Sequence, residues 1–190
     1  MRFRVAFACL AMLAAQNAVI ALTKQVANKK DRVAAFSFGG IEYFHRFTTG
    51  DQHEYTPDGQ SDLKAWTEMV TLLSYRQVKD GEGLAAKANA VLENYKANKA
   101  VVVKTDSVPR TATKPAEHLI VVIFGRPEFL EAVFSRFMMR AGVGTAVVYS
   151  HRIYGKAVGD QMQAWLAKNG ASTEVNLMKW DSMPNLPSSK

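Results

Sequence analysis

Residues 117–154 constrain the fold more than any other stretch, because they combine dense apolar runs with two clear breaks. Three segments rich in apolar residues follow one another, at residues 118–124, 131–140 and 145–154. Gly125-Arg-Pro127 and Gly142-Val-Gly144 separate them, and glycine and proline at such positions are typical of tight turns. The stretch therefore predicts three consecutive strands at the centre of an antiparallel sheet.

The remaining chain adds shorter strands and two helices around this centre. Residues 33–47 indicate a hairpin that turns at Gly39-Gly40, and residues 66–75 indicate a further strand. The helical spacing of apolar residues predicts one helix at 84–97 and a second at 157–168 that stops at Asn169-Gly170. The smaller expected pieces are a short strand at 100–103, a loop or edge strand at 105–115 and a short helix at 173–180.

Runs of consecutive strands with few helices favour the α+β class. We expect a largely antiparallel sheet of about six strands with two main helices packed on it. Each helix has one apolar face, so the two helices can cover the same face of the sheet or opposite faces.

The first residues have the pattern of a secretory signal peptide. Two arginines precede an apolar run, and Val19-Ile-Ala21 offers small residues at the cleavage positions. The expected divisions are a signal peptide at 1–21 cleaved after Ala21, a flexible lead-in at 22–32, a single α+β domain at 33–183 and a tail at 184–190. This interpretation implies a periplasmic or secreted location. The alternative is an N-terminal membrane anchor at 5–22, which would bury Gln16-Asn17 in lipid at a cost.

The order of the elements resembles the PsbP/Mog1 type of α/β sandwich, a group that includes small exported bacterial proteins. The resemblance rests on the hairpin at 33–47, the strand at 66–72, the helix at 84–97, the strand run at 119–154 and the C-terminal helix around Trp165. It covers most of the chain after the leader and implies a non-catalytic accessory or interaction role. Because no residue-level motif matches, no functional residue is carried over from the group.

Searches for catalytic and metal-binding patterns find none in this sequence. There is no His-Glu-x-x-His, no Gly-x-Ser-x-Gly and no glycine-rich phosphate loop. The histidines are not paired at metal-ligand spacing, and the single cysteine, Cys9, lies in the leader. No nucleic-acid-binding module is recognisable either. We therefore predict no catalytic residues, no metal, no cofactor and no nucleic-acid partner.

Arginines are the polar feature that most suggests a binding site. Arg136 and Arg140 share one face of the strand predicted at 131–140, and Arg152 and Tyr154 share a face of the next strand. If the hairpin aligns the two strands, these residues form a basic, aromatic strip that can hold a carboxylate or a phosphate. The alternative is an ordinary solvated face of an antiparallel sheet.

Three functional hypotheses follow. The first is an exported, non-catalytic accessory or interaction protein of the cell envelope. Its partner is a protein or another envelope component of unknown identity, and it meets the membrane only through an uncleaved leader. The second is a binding module for a small anionic or lipidic ligand, held between the sheet and a helix; the net charge of +7 fits anionic partners, although many soluble domains carry a similar charge. The third is a hydrolase that uses Glu131 or His118 with a nearby base.

Overall fold

A computed structural model describes residues 33–185 of the chain. In this part of the chain the strands are β1 (Phe36–Phe38), β2 (Ile41–Thr49), β3 (Gln52–Pro57), β4 (Glu68–Tyr75), β5 (Val101–Val108), β6 (Glu117–Arg126), β7 (Phe129–Arg140) and β8 (Val143–Tyr154). The helices are α1 (Gly81–Ala97) and α2 (Gly159–Met178). The predicted signal peptide and lead-in lie outside the described residues, as do residues 186–190 of the predicted tail.

The strands form one antiparallel sheet in the order β1-β2-β3-β4-β8-β7-β6-β5. This arrangement confirms the predicted α+β class with a largely antiparallel sheet and two helices packed on it. The described sheet has eight strands rather than about six, because the short β3, which was not predicted as a strand from the sequence, is also a full member of it. The three strands predicted from residues 117–154 are β6, β7 and β8, and they are neighbours in the sheet.

The two helices cover opposite faces of the sheet, which is one of the two arrangements that their apolar stripes allow. We name the face under α2 face A and the face under α1 face B. The core on face A contains Leu119, Val121, Phe134, Val147, Met162 and Leu177. The core on face B contains Leu84, Ala88, Ile120, Val122, Val133 and Phe137. Strand β6 contributes alternate residues to both cores and is therefore buried on both faces, although only β5 separates it from the edge.

Helix α2 is longer than the sequence predicted. It runs without a break through Asn169-Gly170, so the predicted stop there and the separate short helix at 173–180 are wrong. A glycine in a helix interior costs about 1 kcal/mol relative to alanine. Full burial of a leucine such as Leu177 contributes about 1.5–3 kcal/mol, which is more than the glycine costs. The helix therefore continues until Leu177 is placed in the core on face A.

Helix α1 begins at Gly81 rather than at residue 84, because Asp80 caps it. The Asp80 Oδ1 accepts a hydrogen bond of 2.7 Å from the Gly83 N–H, which satisfies one of the free donors at the helix start. Leu84 and Ala88 lie four residues apart on one stripe and reach the core on face B. In the part of the chain that the structure describes, neither helix is long and apolar enough to span a membrane.

Strand β5 also continues beyond its predicted end at residue 103. A β-bulge between Val102 and Lys104 takes up one extra residue, and residues 104–108 then keep pairing with β6. Of the two interpretations open for residues 105–115, an edge strand is therefore correct as far as Val108.

Candidate functional site

Arg136, the first of the predicted site residues, lies buried under the C-terminal end of α2, with 2% of its surface exposed. Its Nε donates to Glu117 Oε2 at 2.8 Å. Its Nη1 donates to the carbonyl oxygens of Leu177 and Trp180 at 2.9 and 3.0 Å. Carbonyls at a helix C-terminus lack partners within the helix and form the negative end of its dipole, so a guanidinium suits them. Arg136 therefore fastens α2 to the sheet.

Arg140, on the same face, holds the chain that follows α2. Its Nη2 donates to the Met183 carbonyl at 2.6 Å, and its Nη1 donates to the Pro184 carbonyl at 2.8 Å. The Asn185 side chain accepts a further hydrogen bond at 3.3 Å. Residues 184 and 185, which the sequence assigned to the tail, are thus bound to β7. Both arginines of this face are engaged by the C-terminal segment of the chain itself.

Arg152 and Tyr154 lie on face B, on the other side of the sheet from Arg136 and Arg140. The register of β7 and β8 places Arg152 opposite Glu131. Odd- and even-numbered side chains of β7 point to opposite faces, and those at even-numbered positions, Arg136 and Arg140 among them, point to face A. Glu131 and its partner Arg152 therefore lie on face B. The predicted strip of Arg136, Arg140, Arg152 and Tyr154 is therefore not formed. The prediction needed a particular strand register, and the apolar pattern of either strand alone does not specify which charged positions meet.

Arg152 is enclosed by protein groups. Its Nε donates to Glu131 Oε2 at 2.8 Å, and its guanidinium carbon lies 3.7 Å from the ring centroid of Trp66 and 4.2 Å from that of Phe129. The Tyr154 hydroxyl donates to the Trp66 carbonyl at 2.8 Å. These contacts fasten the segment before β4 to β7 and β8, and they engage the Arg152 guanidinium and the Tyr154 hydroxyl within the protein.

Glu131 and His118, the residues considered for hydrolysis, do not meet. His118 lies near the start of β6 and Glu131 near the start of β7, so antiparallel pairing places them at opposite ends of the two strands. Glu131 binds Arg152, whereas His118 Nδ1 lies 2.9 Å from Ser107 Oγ. A hydrolytic site requires titratable groups that converge in a cleft. The two residues do not converge with each other, and the described partner of each is Arg152 for Glu131 and Ser107 for His118.

A cleft of about 180 Å³ lies on face A between the sheet and α2. We name it the Glu68 cleft. Its lining includes Phe38, Tyr43, Glu68, Tyr149, Trp165 and Asn169. They come from β1, β2, β4, β8 and α2, so no local sequence pattern brings them together. The search for site residues in the sequence missed this cleft for that reason.

Glu68 is the one charged residue in the described lining of this cleft. The Tyr43 hydroxyl donates to Glu68 Oε2 at 3.4 Å, and Tyr149 also forms a hydrogen bond with the carboxylate. Burial raises the pKa of Glu68, while these two hydrogen bonds lower it in part. Burial, together with the nearby carboxylate, also raises the pKa values of Tyr43 and Tyr149. Both phenols are therefore neutral in the physiological range.

His151 is the cross-strand neighbour of Glu68. Its ring stacks on Trp165, with 4.0 Å between the centroids and 6° between the planes. Its Nδ1 is buried, has no hydrogen-bond partner and lies 4.0 Å from Glu68 Oε1. Burial lowers the pKa of His151 to about 4, so the ring is uncharged at neutral pH. Within residues 33–185, no group of three or more histidine, cysteine, aspartate or glutamate side chains is arranged to hold a metal ion.

Strand β5 forms an exposed edge of the sheet. It pairs with β6 on one side, and none of the described strands lies on its other side. All of its residues are exposed, including Val101 at 66% and Val103 at 49%. Residues 101–103 and Val108 are apolar, whereas Lys104 and Asp106 are charged. Exposed apolar edge segments are usually blunted or covered in soluble proteins, because their free backbone groups pair readily with another strand.

Two grooves flank this edge. On face A, a groove of about 200 Å³ lies between β5 and α2, and its apolar part consists of Val108, Leu119, Val175 and Met178. On face B, a wider groove of about 480 Å³ lies between β5 and α1, and its polar part consists of Asn89, Thr105, Ser107 and His118. The edge of β5 is therefore bordered by a mainly apolar groove on one side and a more polar groove on the other.

No protein-family model and no curated protein sequence matches this chain. Solved structures with a similar arrangement include the Saccharomyces cerevisiae Ran-binding protein Mog1p, which is 13% identical with a TM-score of 0.43 over 78% of this chain and 93% of that chain. A substituted form of Mog1 is 10% identical, with a TM-score of 0.41 over 77% and 86%. Human STARD10 is 8% identical, with a TM-score of 0.32 over 74% of each chain. The resemblance to Mog1-type sandwiches is thus confirmed as a weak likeness of architecture alone.

Proposed function

We propose that this protein is a non-catalytic interaction module of the cell envelope that binds an extended segment of a partner protein along β5. The observation that carries the proposal is the exposed edge of β5, which is apolar at residues 101–103 and at Val108, with a groove on either side. Its placement in the envelope is supported by the leader pattern at residues 1–21. Its non-catalytic character is supported by the lack of a catalytic motif in the sequence.

An added strand would use the backbone groups of β5 that β6 does not use. In an antiparallel sheet, successive residues direct their N–H and C=O groups alternately to the two neighbouring strands. Strand β5 has one such neighbour among the described strands, so its other set of groups points away from the sheet. A partner segment that pairs with this set also covers Val101 and Val103. Main-chain hydrogen bonds then supply affinity, while the flanking grooves select side chains.

The two grooves define the chemistry of the partner segment. Alternate side chains of an added strand reach opposite faces of the sheet. Those on face A would enter the groove beside Leu119 and Met178, which favours apolar side chains. Those on face B would lie beside Thr105, Ser107 and His118, which favours polar side chains. The proposed partner is therefore an extended segment in which apolar and polar residues alternate.

A second copy of β5 matches this description poorly. Symmetric antiparallel pairing would present Lys104 and Asp106 of one copy on face A, where the groove is mainly apolar. In addition, Lys104 Nζ is already held by Glu174 Oε1 at 2.6 Å and by Asp106 Oδ2 at 3.3 Å. The proposed partner is accordingly a different protein.

The alternative of a small anionic ligand has less support from the geometry. It relied on Arg136, Arg140 and Arg152, and each of these guanidinium groups is bonded to the protein itself. A ligand on these arginines would have to displace helix α2, the C-terminal segment or Glu131.

Site-specific photo-crosslinking tests the proposal. A benzophenone amino acid at Val103 should crosslink one extended peptide in envelope extract from the source cells. The same group at Phe47, which is 44% exposed near the other end of the sheet, should not. A synthetic peptide of the captured sequence should bind the purified protein. The double substitution Val101→Lys with Val103→Lys should weaken that binding at least about tenfold, because lysines on an edge disfavour strand addition.

Two outcomes would contradict this proposal. One is equal crosslinking at Val103 and Phe47, which would indicate nonspecific contact. The other is crosslinking only to peptides of this chain, together with a dimer in light scattering that the double substitution disperses. The envelope location is tested by intact-mass analysis of the protein from its source cells. A chain that begins at Leu22 supports export, whereas a retained leader in the membrane fraction supports the anchor.

A further inference from the structure

We propose that the Glu68 cleft binds a small alkylammonium ion, with the cationic head against the Glu68 carboxylate and between the aromatic side chains of Tyr43, Tyr149 and Trp165. This inference concerns face A near β2, β4 and β8, away from the β5 edge, and it does not rest on the proposed function. Four observations support it. The Glu68 carboxylate has no cationic partner among the described residues, and no other residue that lines the cleft is charged. Several lining residues are aromatic, and the volume of the cleft suits a small cation.

Glu68 has no cationic partner among the described residues. Two phenols donate to its carboxylate, and the nearest base is His151, whose Nδ1 lies 4.0 Å away and is uncharged at neutral pH. A partly buried carboxylate that has neutral donors but no opposite charge is costly to keep ionised. An entering cation would offset this cost, whereas a neutral ligand would not.

None of the other residues that line the cleft is charged, so Glu68 is the lining residue that sets its electrostatic potential. Helix α2 contributes only uncharged residues to it, namely Trp165, Asn169, Ser172, Thr173 and Asn176. The chain as a whole has a net charge of +7, yet neither lysine nor arginine occurs in this lining. The cleft is therefore a local negative site on a basic protein, and it selects against anions.

Four of the eleven residues that line the cleft are aromatic, namely Phe38, Tyr43, Tyr149 and Trp165. The ring centroid of Phe38 lies 6.4 Å from that of Tyr43 and 5.5 Å from that of Tyr149. Trp165 borders the helix side and is kept in place by its stacking on His151. Aromatic faces attract ammonium and methylated ammonium groups within about 6 Å of the ring centre. A hard metal ion would instead require several oxygen ligands, and the lining supplies one carboxylate.

The volume suits a headgroup-sized cation. A cleft of about 180 Å³ has room for roughly six groups the size of a water molecule, at about 30 Å³ each. Choline and ethanolamine fall in this size range. Ile41, which is 40% exposed, borders the cleft on the solvent side, so a ligand can enter without displacing a core residue.

Titration calorimetry on the purified protein tests this inference. The probes are choline, ethanolamine, and the neutral analogue of choline in which a tert-butyl group replaces the trimethylammonium group. We expect a cation to bind at least about tenfold more tightly than the neutral analogue. Glu68→Gln keeps the side-chain size and removes the charge, so it should weaken cation binding at least about tenfold. Glu42→Gln, an equal charge change at an exposed position outside the cleft, should leave binding unchanged.

Three results would overturn the inference. They are the absence of binding by both cations at millimolar concentration, equal binding of choline and its neutral analogue, and equal losses in Glu68→Gln and Glu42→Gln. If Glu68→Gln does not fold, nuclear Overhauser contacts from the choline methyl groups to the rings of Tyr43 and Tyr149 provide the test in the unsubstituted protein. Glycerophosphocholine serves as a further probe. Binding of both it and choline would indicate a lipid headgroup, and binding of choline alone would indicate a free cation.

Discussion

Replacing Arg136 with alanine should lower the free energy of unfolding by about 3–5 kcal/mol, because the change removes one partner of a buried ion pair. Glu117 would lose its 2.8 Å contact, and the carbonyls of Leu177 and Trp180 would lose the hydrogen bonds that the Arg136 guanidinium donates to them. Helix α2 should then detach at its C-terminal end while the sheet remains folded at low denaturant. Urea unfolding followed by circular dichroism measures the loss.

Two further substitutions control this experiment. Arg126→Ala removes an exposed arginine at the end of β6, whose guanidinium carbon lies 5.5 Å from the centroid of the Phe124 ring. We expect this change to alter the free energy of unfolding by no more than about 0.5 kcal/mol. Arg136→Lys should fall between the two, because a single ammonium does not reproduce the fork of the guanidinium that reaches Glu117 and two carbonyls. A loss below about 1 kcal/mol for Arg136→Ala would show that this arginine does not hold α2.

Lowering the pH from about 6.5 to about 4 should cost the protein about 3 kcal/mol of stability through His151 alone. Burial depresses the pKa of His151 from 6.5 to about 4 in the folded state. In this window the unfolded chain takes up the proton and the folded protein does not, so acid favours unfolding. Below about pH 4 both states are protonated, and the contribution of His151 becomes constant.

Glu68, which faces His151, acts in the opposite direction. Burial raises the pKa of Glu68, so the folded protein takes up a proton before the unfolded chain does, and this stabilises the fold as the pH decreases. Tyr43 and Tyr149 stay neutral throughout this range, and α2 places no charged group in the lining of the cleft. The two effects must therefore be separated by substitution.

His151→Phe separates them, because it keeps a flat ring against Trp165 and removes the titrating group. The difference in unfolding free energy between the unsubstituted protein and this variant should shift by about 3 kcal/mol between pH 7 and pH 4, with the unsubstituted protein losing stability. The corresponding difference for Glu68→Gln should shift with the opposite sign. Parallel pH profiles for His151→Phe and the unsubstituted protein would refute the buried, neutral state of His151. The other histidines are present in both proteins and cancel.

Elements with a strong local pattern were predicted well. Strands β6, β7 and β8 follow from apolar runs separated by glycine and proline, and α1 follows from a stripe that includes Leu84 and Ala88. These signals are local, because the periods of strands and helices repeat within a few residues. The predicted end of α2 is wrong, because the local stop at Asn169-Gly170 is outweighed by the burial of Leu177 about two turns beyond it.

The arginines show why the site was harder to predict than the fold. Their chemistry is visible in the sequence, but their partners are not. Arg136 binds the carbonyls of Leu177 and Trp180, more than forty positions further along the chain. Arg152 lies on the opposite face because of the β7–β8 register. Glu68 was not predicted as a site residue, and His151 was tested only against patterns within the sequence, since only the pairing of β4 with β8 makes the two residues neighbours.

The sequence by itself determined the α+β class, the antiparallel run from β6 to β8 and the first helix. These features depend on short-range periodicity and on turn residues. Only the tertiary structure decided which face each arginine occupies, that β5 remains an open edge between two grooves, and that Glu68 meets Tyr43, Tyr149 and His151 in one cleft. Those outcomes depend on strand register and on helix placement. Both are set by the total burial of the two cores, to which residues far apart in the sequence contribute together.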